Sequence, residues 1–489
     1  MLRTSHSLPF VALFCTACAL PAQKQPAPSP EVQKHIAHVE AGLLPPVIVG
    51  GEPRPAHTIQ QRMEQLHVPG VSVAVIHHGV IEWARGYGVV SLGGAPVTAD
   101  TLFQAGSISK PVASMAALKL VEQGKLKLDA DINTELKSWK LPDSPVAKGK
   151  PVTLRELMTH TGGTTVHGFP GYATDAPVPT LVQVLNGEKP ANTPAIRIEA
   201  EPGTRWNYSG GGITIMQQAM LDVSGEPFPK LLREDVLAPL HMTHSTYEDP
   251  LPRAWKPAGA VPYKGDGTPI PGGAHTYPEM AAAGLWTTAS DLARFAIELE
   301  KSSRGEANHV LSKAMTAQML TPGMGKWGLG IQIAGKPARP YFTHGGVDEG
   351  FEAMLIGYED GSEGAVIMTN AQGGSRLIDE IVRSIAVEYN WPDFQPPVRN
   401  AVKVDPDVLN EYAGSYQLAP GFADVITVEG DHLMAQAGKQ RKFVLKPESP
   451  NLFFFPELDA EIEFVRDETG LVTDLVLRQN GTDRTARRQ

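Results

Sequence analysis

Ser107-Ile108-Ser109-Lys110 heads an alanine- and leucine-rich run that continues to about residue 123 and stops at Gly124. Its composition, length and terminal glycine predict a helix. No other Ser-x-x-Lys occurs in the chain of 489 residues. A serine hydroxyl is a poor nucleophile until a base lies within hydrogen-bond reach. Positions i and i+3 share a helix face, which puts Lys110 beside Ser107. A lysine acts as a base in its neutral form, and burial and nearby positive charge both favour that form. Pro111 is tolerated because first-turn amides have no intrahelical partner, and those amides with the helix dipole favour negative charge near Ser107. By itself the pattern also describes a serine that caps a helix and a lysine in solvent.

Upstream of this run, residues 71–76 and 80–87 read as strands on either side of a turn at His78-Gly79, which predicts a β-hairpin. Downstream the chain reads as helices and loops to about residue 300. Thr153 with Glu156 forms a capping-box start, and another helix begins at Ala289. Strands return at 353–358 and 364–369, followed by a helix over about 375–390. A sheet drawn from both ends of a unit around a helical lobe is an α/β architecture, with helices on both sides and a cleft between lobes. Pro392, Pro396 and Pro397 close that unit. Beyond about residue 403 come short strands at 425–428, 433–436, 443–446, 452–455, 462–466 and 475–477. Turns at Glu429-Gly430-Asp431, Glu468-Thr469-Gly470 and Asn480-Gly481 separate several of them, which predicts a small antiparallel β barrel.

Two further stretches bear on Ser107. Glu201-Pro202-Gly203-Thr204-Arg205-Trp206-Asn207-Tyr208-Ser209-Gly210 is a turn running into a helix, and Tyr208 is a candidate proton relay. Alone, it also reads as a tyrosine packed at a helix start. Thr343-His344-Gly345-Gly346-Val347-Asp348 is a glycine-rich strand, and glycines inside a strand signal a close approach to the backbone. A substrate along this edge would receive main-chain hydrogen bonds, with the amides of Ser107 and Val347 forming an oxyanion hole. An ordinary bulge is the plainer alternative.

Together, in this order and spacing, the three motifs resemble the serine β-lactamase and penicillin-binding-protein superfamily. Within it they look most like the branch of class C β-lactamases, D-aminopeptidases and β-lactamase-fold esterases. The likeness spans about residues 50–390. It includes the stretches from Leu157 to Gly163 and from Gly284 to Asp291, which are framework with no assigned catalytic role. The C-terminal module resembles the lipocalin-like β domain of some secreted members. The resemblance implies an acylation and deacylation cycle: Ser107 attacks a carbonyl, Lys110 and Tyr208 handle protons, and the Ser107 and Val347 amides hold the oxyanion. It implies substrate-binding positions at His344, Gly345, Gly346 and Gly210. Where the family usually reads Tyr-x-Asn, this chain has Tyr208-Ser209-Gly210, which removes an amide for a substrate acylamino group. Where it reads Lys-Thr-Gly or Lys-Ser-Gly, this chain has His344-Gly345-Gly346, which replaces a permanent cation by an ionisable ring. Strong β-lactamase activity and tight carboxylate recognition are therefore not expected.

Forty-three basic against 53 acidic residues, without a clustered basic run, argue against nucleic acid as a partner. Residues 1–22 read as an export signal, with Arg3, an apolar run over 8–15 that is too short for a bilayer span, and small residues at Ala17-Cys18-Ala19 and Leu20-Pro21-Ala22. Simple cleavage is favoured over a lipid anchor at Cys18, because Cys15 stands where a lipoprotein signal prefers leucine. Both cysteines fall in this segment, so the mature chain has no thiol nucleophile or disulfide, as suits a periplasmic or secreted protein. Residues 23–50 read as an extended proline-rich leader, 51–392 as the main unit and 403–489 as the β module.

The chain lacks a Gly-x-Ser-x-Gly elbow and a His-Glu-x-x-His helix, and the glycines at 209–212 lack the Lys-Ser/Thr ending of a phosphate loop. His35 with His38, and His241 with His244, read as solvated or core positions, so neither a metal nor a cofactor is expected. The leading expectation is a hydrolase of small amides or esters. The substrate range covers D-amino-acid peptides, peptidoglycan fragments, β-lactams and short esters. A slowly deacylating penicillin-binding sensor, and a chain whose β module does the main task, are the competing readings.

Overall fold

The computed structural model describes residues 28–54, 57–419, 421–479 and 481–489. The segment 1–22 read as an export signal, with Cys18, lies outside the described residues, as does Asn480 of the last predicted turn.

Strands β1 (Gly70–His77) and β2 (Val80–Gly88) form the expected hairpin. His78 and Gly79 both have positive φ, the condition for a tight two-residue connection between twisted strands. Strands β3 (Gln332–Lys336), β4 (Arg339–Asp348), β5 (Phe351–Tyr358) and β6 (Glu363–Thr369) complete a six-stranded antiparallel sheet of order β2-β1-β6-β5-β4-β3. The first and last strands of the main unit therefore meet at the centre. Period-two alternation divides β1 between two cores. Val71, Val73 and Val75 face one, while Ala74 and Ile76 face the other.

On the first face pack α1 (Pro30–Ala41), α2 (Ile59–Gln65) and the helix Gly374–Glu388, here α7. The opposite face carries α3 (Ser109–Glu122), α4 (Gly210–Ser224), α5 (Met280–Ala283) and α6 (Ala289–Arg304), which form the helical lobe. Thr153 and Glu156 make the predicted capping box.

One expectation is overturned. The extended leader 23–50 contains helix α1, capped by Ser29 with Pro30 in the first turn. The same proline that breaks a helix interior pre-sets φ at its first position. Ile36 and Val39 bury the helix's apolar side, and Ser384 Oγ of α7 donates to the Val39 carbonyl at 3.0 Å. His35 and His38 both reach Glu388, at 2.9 and 3.0 Å.

The C-terminal module is a closed eight-stranded barrel of β7 (Gly414–Ala419), β8 (Phe422–Glu429), β9 (His432–Ala437), β10 (Phe443–Pro447), β11 (Leu452–Phe454), β12 (Ala460–Arg466), β13 (Val472–Gln479) and β14 (Thr482–Arg488). It meets the main unit on the α1/α2/α7 side. Val398-Arg399 pairs with Ile48-Val49, Arg399 reaches Glu448 and Glu461 at 2.6 Å, and Lys446 pairs with Glu52. The helical lobe lies across the sheet from these contacts. A chain ending at residue 402 is therefore expected to keep whatever turnover the full chain has. Loss of turnover by a shortened chain that still folds, judged by circular dichroism, would place the barrel at the site.

Candidate active site

Of residues 101–110 only Ser107 is not buried. It sits in a 3-10 turn, Gly106–Ile108, that leads directly into α3. The turn is held from several sides. Ser109 Oγ donates to the Gly106 carbonyl at 2.6 Å and accepts from Leu285 N at 3.0 Å, and Tyr247 Oη donates to the Ser109 carbonyl at 2.8 Å. Lys110, 3% exposed, places Nζ 2.8 Å from Ser107 Oγ and 2.8 Å from the Ala282 carbonyl of α5. Among the described residues the Ser107 amide has no acceptor.

The edge of β4 lies against this turn. Strand β3 pairs only with residues 339–343, so residues 344–348 have no partner strand on that side. Gly106 has φ +51°, and a Cβ there would lie 2.4 Å from Val347 N. A Cβ on Gly346 would lie 1.9 Å from the Ala105 carbonyl oxygen. The close approach signalled by the strand glycines is thus made by the chain's own serine turn. Gly345 and the Val347 side chain face outward and are exposed, whereas His344, Gly346 and Asp348 face inward. Asp348 Oδ2 accepts from Gly106 N at 3.1 Å, and burial raises its carboxyl well above the usual range.

Tyr208 stands on the other side of Lys110, whose Nζ lies 5.1 Å from the ring centroid. Ser209 N-caps α4 through Gly212 N at 3.0 Å. Of the predicted substrate-binding positions only Gly345 is exposed, and His344, Gly346 and Gly210 are buried. A Cβ on Gly210 would come within 2.8 Å of the Phe169 ring. Phe169 occupies the space into which a side chain at 210 would project.

His344 is 4% exposed, and its Nδ1 lies 2.6 Å from the Gly345 carbonyl, which fixes the proton there and leaves Nε2 as a lone pair. Burial and the neighbouring Lys110 push its pKa down to about 3, so the ring is neutral near pH 7. His160 is the residue that sequence reasoning missed. It lies in a stretch read as framework, yet it is 2% exposed and its ring is 4.3 Å from that of Tyr208. Its Nδ1 accepts from Ser209 N at 3.2 Å, and burial, with Lys110 and His344 nearby, lowers its pKa well below the ordinary value. Trp327 packs edge-on to Tyr208, His160 and His344, with Trp206 5.7 Å away and partly in solvent. Burial is a tertiary property, and nothing in the local sequence marks His160, Trp327 or Phe169.

Among the described residues no cluster of three or more His, Cys, Asp or Glu is arranged to hold a metal ion, and no helix is long and apolar enough to cross a membrane.

This geometry belongs to the β-lactamase-fold class of serine hydrolases. Residues 56–388 match the family model described as Beta-lactamase, well over half of the chain, and the chain belongs to that family. Residues 398–487 match a domain of unknown function, DUF3471. Penicillin-binding protein 4 of Amycolatopsis lactamdurans is 25% identical over 389 residues, covering 74% of this chain and 97% of that protein. Esterase EstB of Burkholderia gladioli is 27% identical over 221 residues, 43% of this chain and 54% of the esterase. An octameric penicillin-binding protein homologue from Pyrococcus abyssi shares the fold, with a TM-score of 0.58 and 21% identity over 88% of this chain and 98% of that one.

Gly346→Ala tests the backbone contact. Its methyl group forces β4 away from Ala105, so the variant is expected to lose about 1–3 kcal/mol in chemical denaturation, together with most turnover. Unchanged stability would count against the contact.

Proposed function

We propose that the chain is an exported serine hydrolase that works through an acyl-enzyme on small amides or esters without a recognised carboxylate. The observation that carries this reading is the 2.8 Å contact of Lys110 Nζ with Ser107 Oγ beside an unpaired strand edge. Lys110 Nζ takes the Ser107 proton as Oγ bonds to the substrate carbonyl carbon. The amides of Ser107 and Val347 stabilise the oxyanion, which collapses as the leaving group departs with a proton relayed through Lys110 and Tyr208. Water then attacks the ester carbon, gives its proton back through the same groups to Ser107, and releases the acid. Residues 1–22 supply the export signal.

The substrate class follows from His344. A buried neutral ring at this position offers a substrate carboxylate no charge, which favours uncharged peptides or esters over β-lactams. Phe169 in the space beside Gly210, and Trp206 beyond Tyr208, give the surroundings an aromatic character. A short-chain carboxylesterase is the second reading, and the likeness to Esterase EstB favours it.

Ser107→Ala and Lys110→Ala are each expected to cut turnover of p-nitrophenyl acetate by at least about a thousandfold. Mass spectrometry during turnover should show a transient acyl adduct in the wild type that is absent from Ser107→Ala. A persistent adduct with penicillin would point to a sensor, and wild type equal to Ser107→Ala would sink the hydrolase.

His344→Lys supplies the missing cation. It is expected to raise kcat/KM for a carboxylate-bearing D-alanyl peptide by about tenfold, roughly 1.4 kcal/mol, and to leave a neutral ester without gain. A flat response on both would remove His344 from substrate recognition.

A further inference from the structure

The barrel interior is unevenly filled. At one end the inward positions are large: Tyr416, Leu445, Phe453, Phe464 and Leu475 are all 0–1% exposed. At the other end three inward positions are alanines, Ala435 and Ala437 on β9 and Ala460 on β12. Small residues facing one another leave volume that the neighbouring rings do not fill. The result is a cavity of 240 Å³ walled by Phe422, Phe443, Phe455 and Leu477.

One carboxylate faces this apolar space. Asp424 of β8 lines the cavity and is 4% exposed, in register with Tyr416 and Ala437 on the adjacent strands. Among the described residues its carboxylate has no hydrogen bond and no ion pair, and Arg484, which also lines the cavity, is not paired with it. A carboxylate that lines an apolar cavity without a donor from the described residues is partly desolvated at a cost, which a bound ligand that donates to it offsets. Aromatic faces around the carboxylate attract a cation and repel an anion.

We infer that this end of the barrel binds a small ammonium compound with an apolar body, its nitrogen on Asp424 and its body among Phe422, Phe443 and Phe455. The volume is below the range of drug-sized pockets, so the ligand is a small amine. This binding is independent of the chemistry assigned to Ser107.

Calorimetric titration of the full chain with 2-phenylethylammonium, 2-phenylethanol and 3-phenylpropanoate tests it. The amine is expected to bind best, and equally to wild type and Ser107→Ala. Asp424→Asn is expected to weaken the amine at least about tenfold while sparing the alcohol. Ala435→Leu should abolish binding of both by filling the cavity. Hydrogen exchange on the wild type with the amine should show protection in β8 and β9, which keeps the proposal testable where a variant fails to fold. An amine that binds no better than the alcohol, an undiminished affinity in Asp424→Asn, or protection confined to residues near Ser107 would each overturn it.

Discussion

The contact between the turn at Gly106 and the strand at Gly346 is a contact of two backbones, and it leaves no room for a methyl group on either side. Strands ordinarily complete their edges with another strand, because unpaired amides are costly when buried and sticky when exposed. Here β3 ends its pairing at Thr343, and the next five residues of β4 run past the serine turn instead. The Val347 amide and the Ser107 amide are thereby brought to one place from elements 240 positions apart in the chain. Everything else at the site is arranged to keep that approach fixed. Asp348 ties Gly106 N, Ser109 ties both its own turn and Leu285, and the Lys110 side chain is anchored on α5.

Burial decides the charge pattern around the contact. Two histidines and an aspartate lie within the same packed cluster, and desolvation drives all three towards their neutral forms, the rings downward and the carboxyl upward in pKa. Asp249 and Glu279, further back, are likewise raised, to about 7. A neutral surround matters in a site of low effective dielectric, where a fixed ion near the serine would act strongly on every proton transfer. A histidine at 344 therefore affects more than one contact: unlike a lysine, it places no permanent charge beside Lys110.

Much of the fold was readable because its signals are local. The hairpin at 70–88, the capping box at Thr153 and the helix after Ser107 follow from residue order alone. Two of the eight barrel strands were not, and β14 shows why: only Ala486 of Thr482–Arg488 is buried, so the strand carries too little alternation to stand out from a polar tail. Helix α1 was hidden by prolines, one of which is its own first residue. At the site, Ser107 and Lys110 are neighbours in sequence and were legible as a pair. His160 and Trp327 pack on Tyr208, and Phe169 lies against Gly210, from distant parts of the chain, and no spacing rule reaches that far.

The two units are linked by a run of alternating charges rather than by a shared core. Arg62 of α2 binds Glu380 of α7 through two 2.6 Å bonds, Glu380 lies 3.6 Å from Arg376, Arg376 lies 3.4 Å from Glu457 of the barrel, and Glu457 accepts from Arg441 at 2.6 Å. Its inner pair is buried and its outer pairs are solvated, so the outer members add little stability. What such a chain supplies is direction: each carboxylate has a cation on both sides, and a rotated barrel would break the Arg376–Glu457 contact while leaving Arg62 with Glu380 and Arg441 with Glu457. Arg441 also lies over the ring of Phe443, 4.1 Å from its centroid, and that ring walls the barrel cavity. Arg441 thus joins Glu457, the barrel residue that Arg376 reaches, to one wall of the cavity, on the face of the sheet turned away from Ser107.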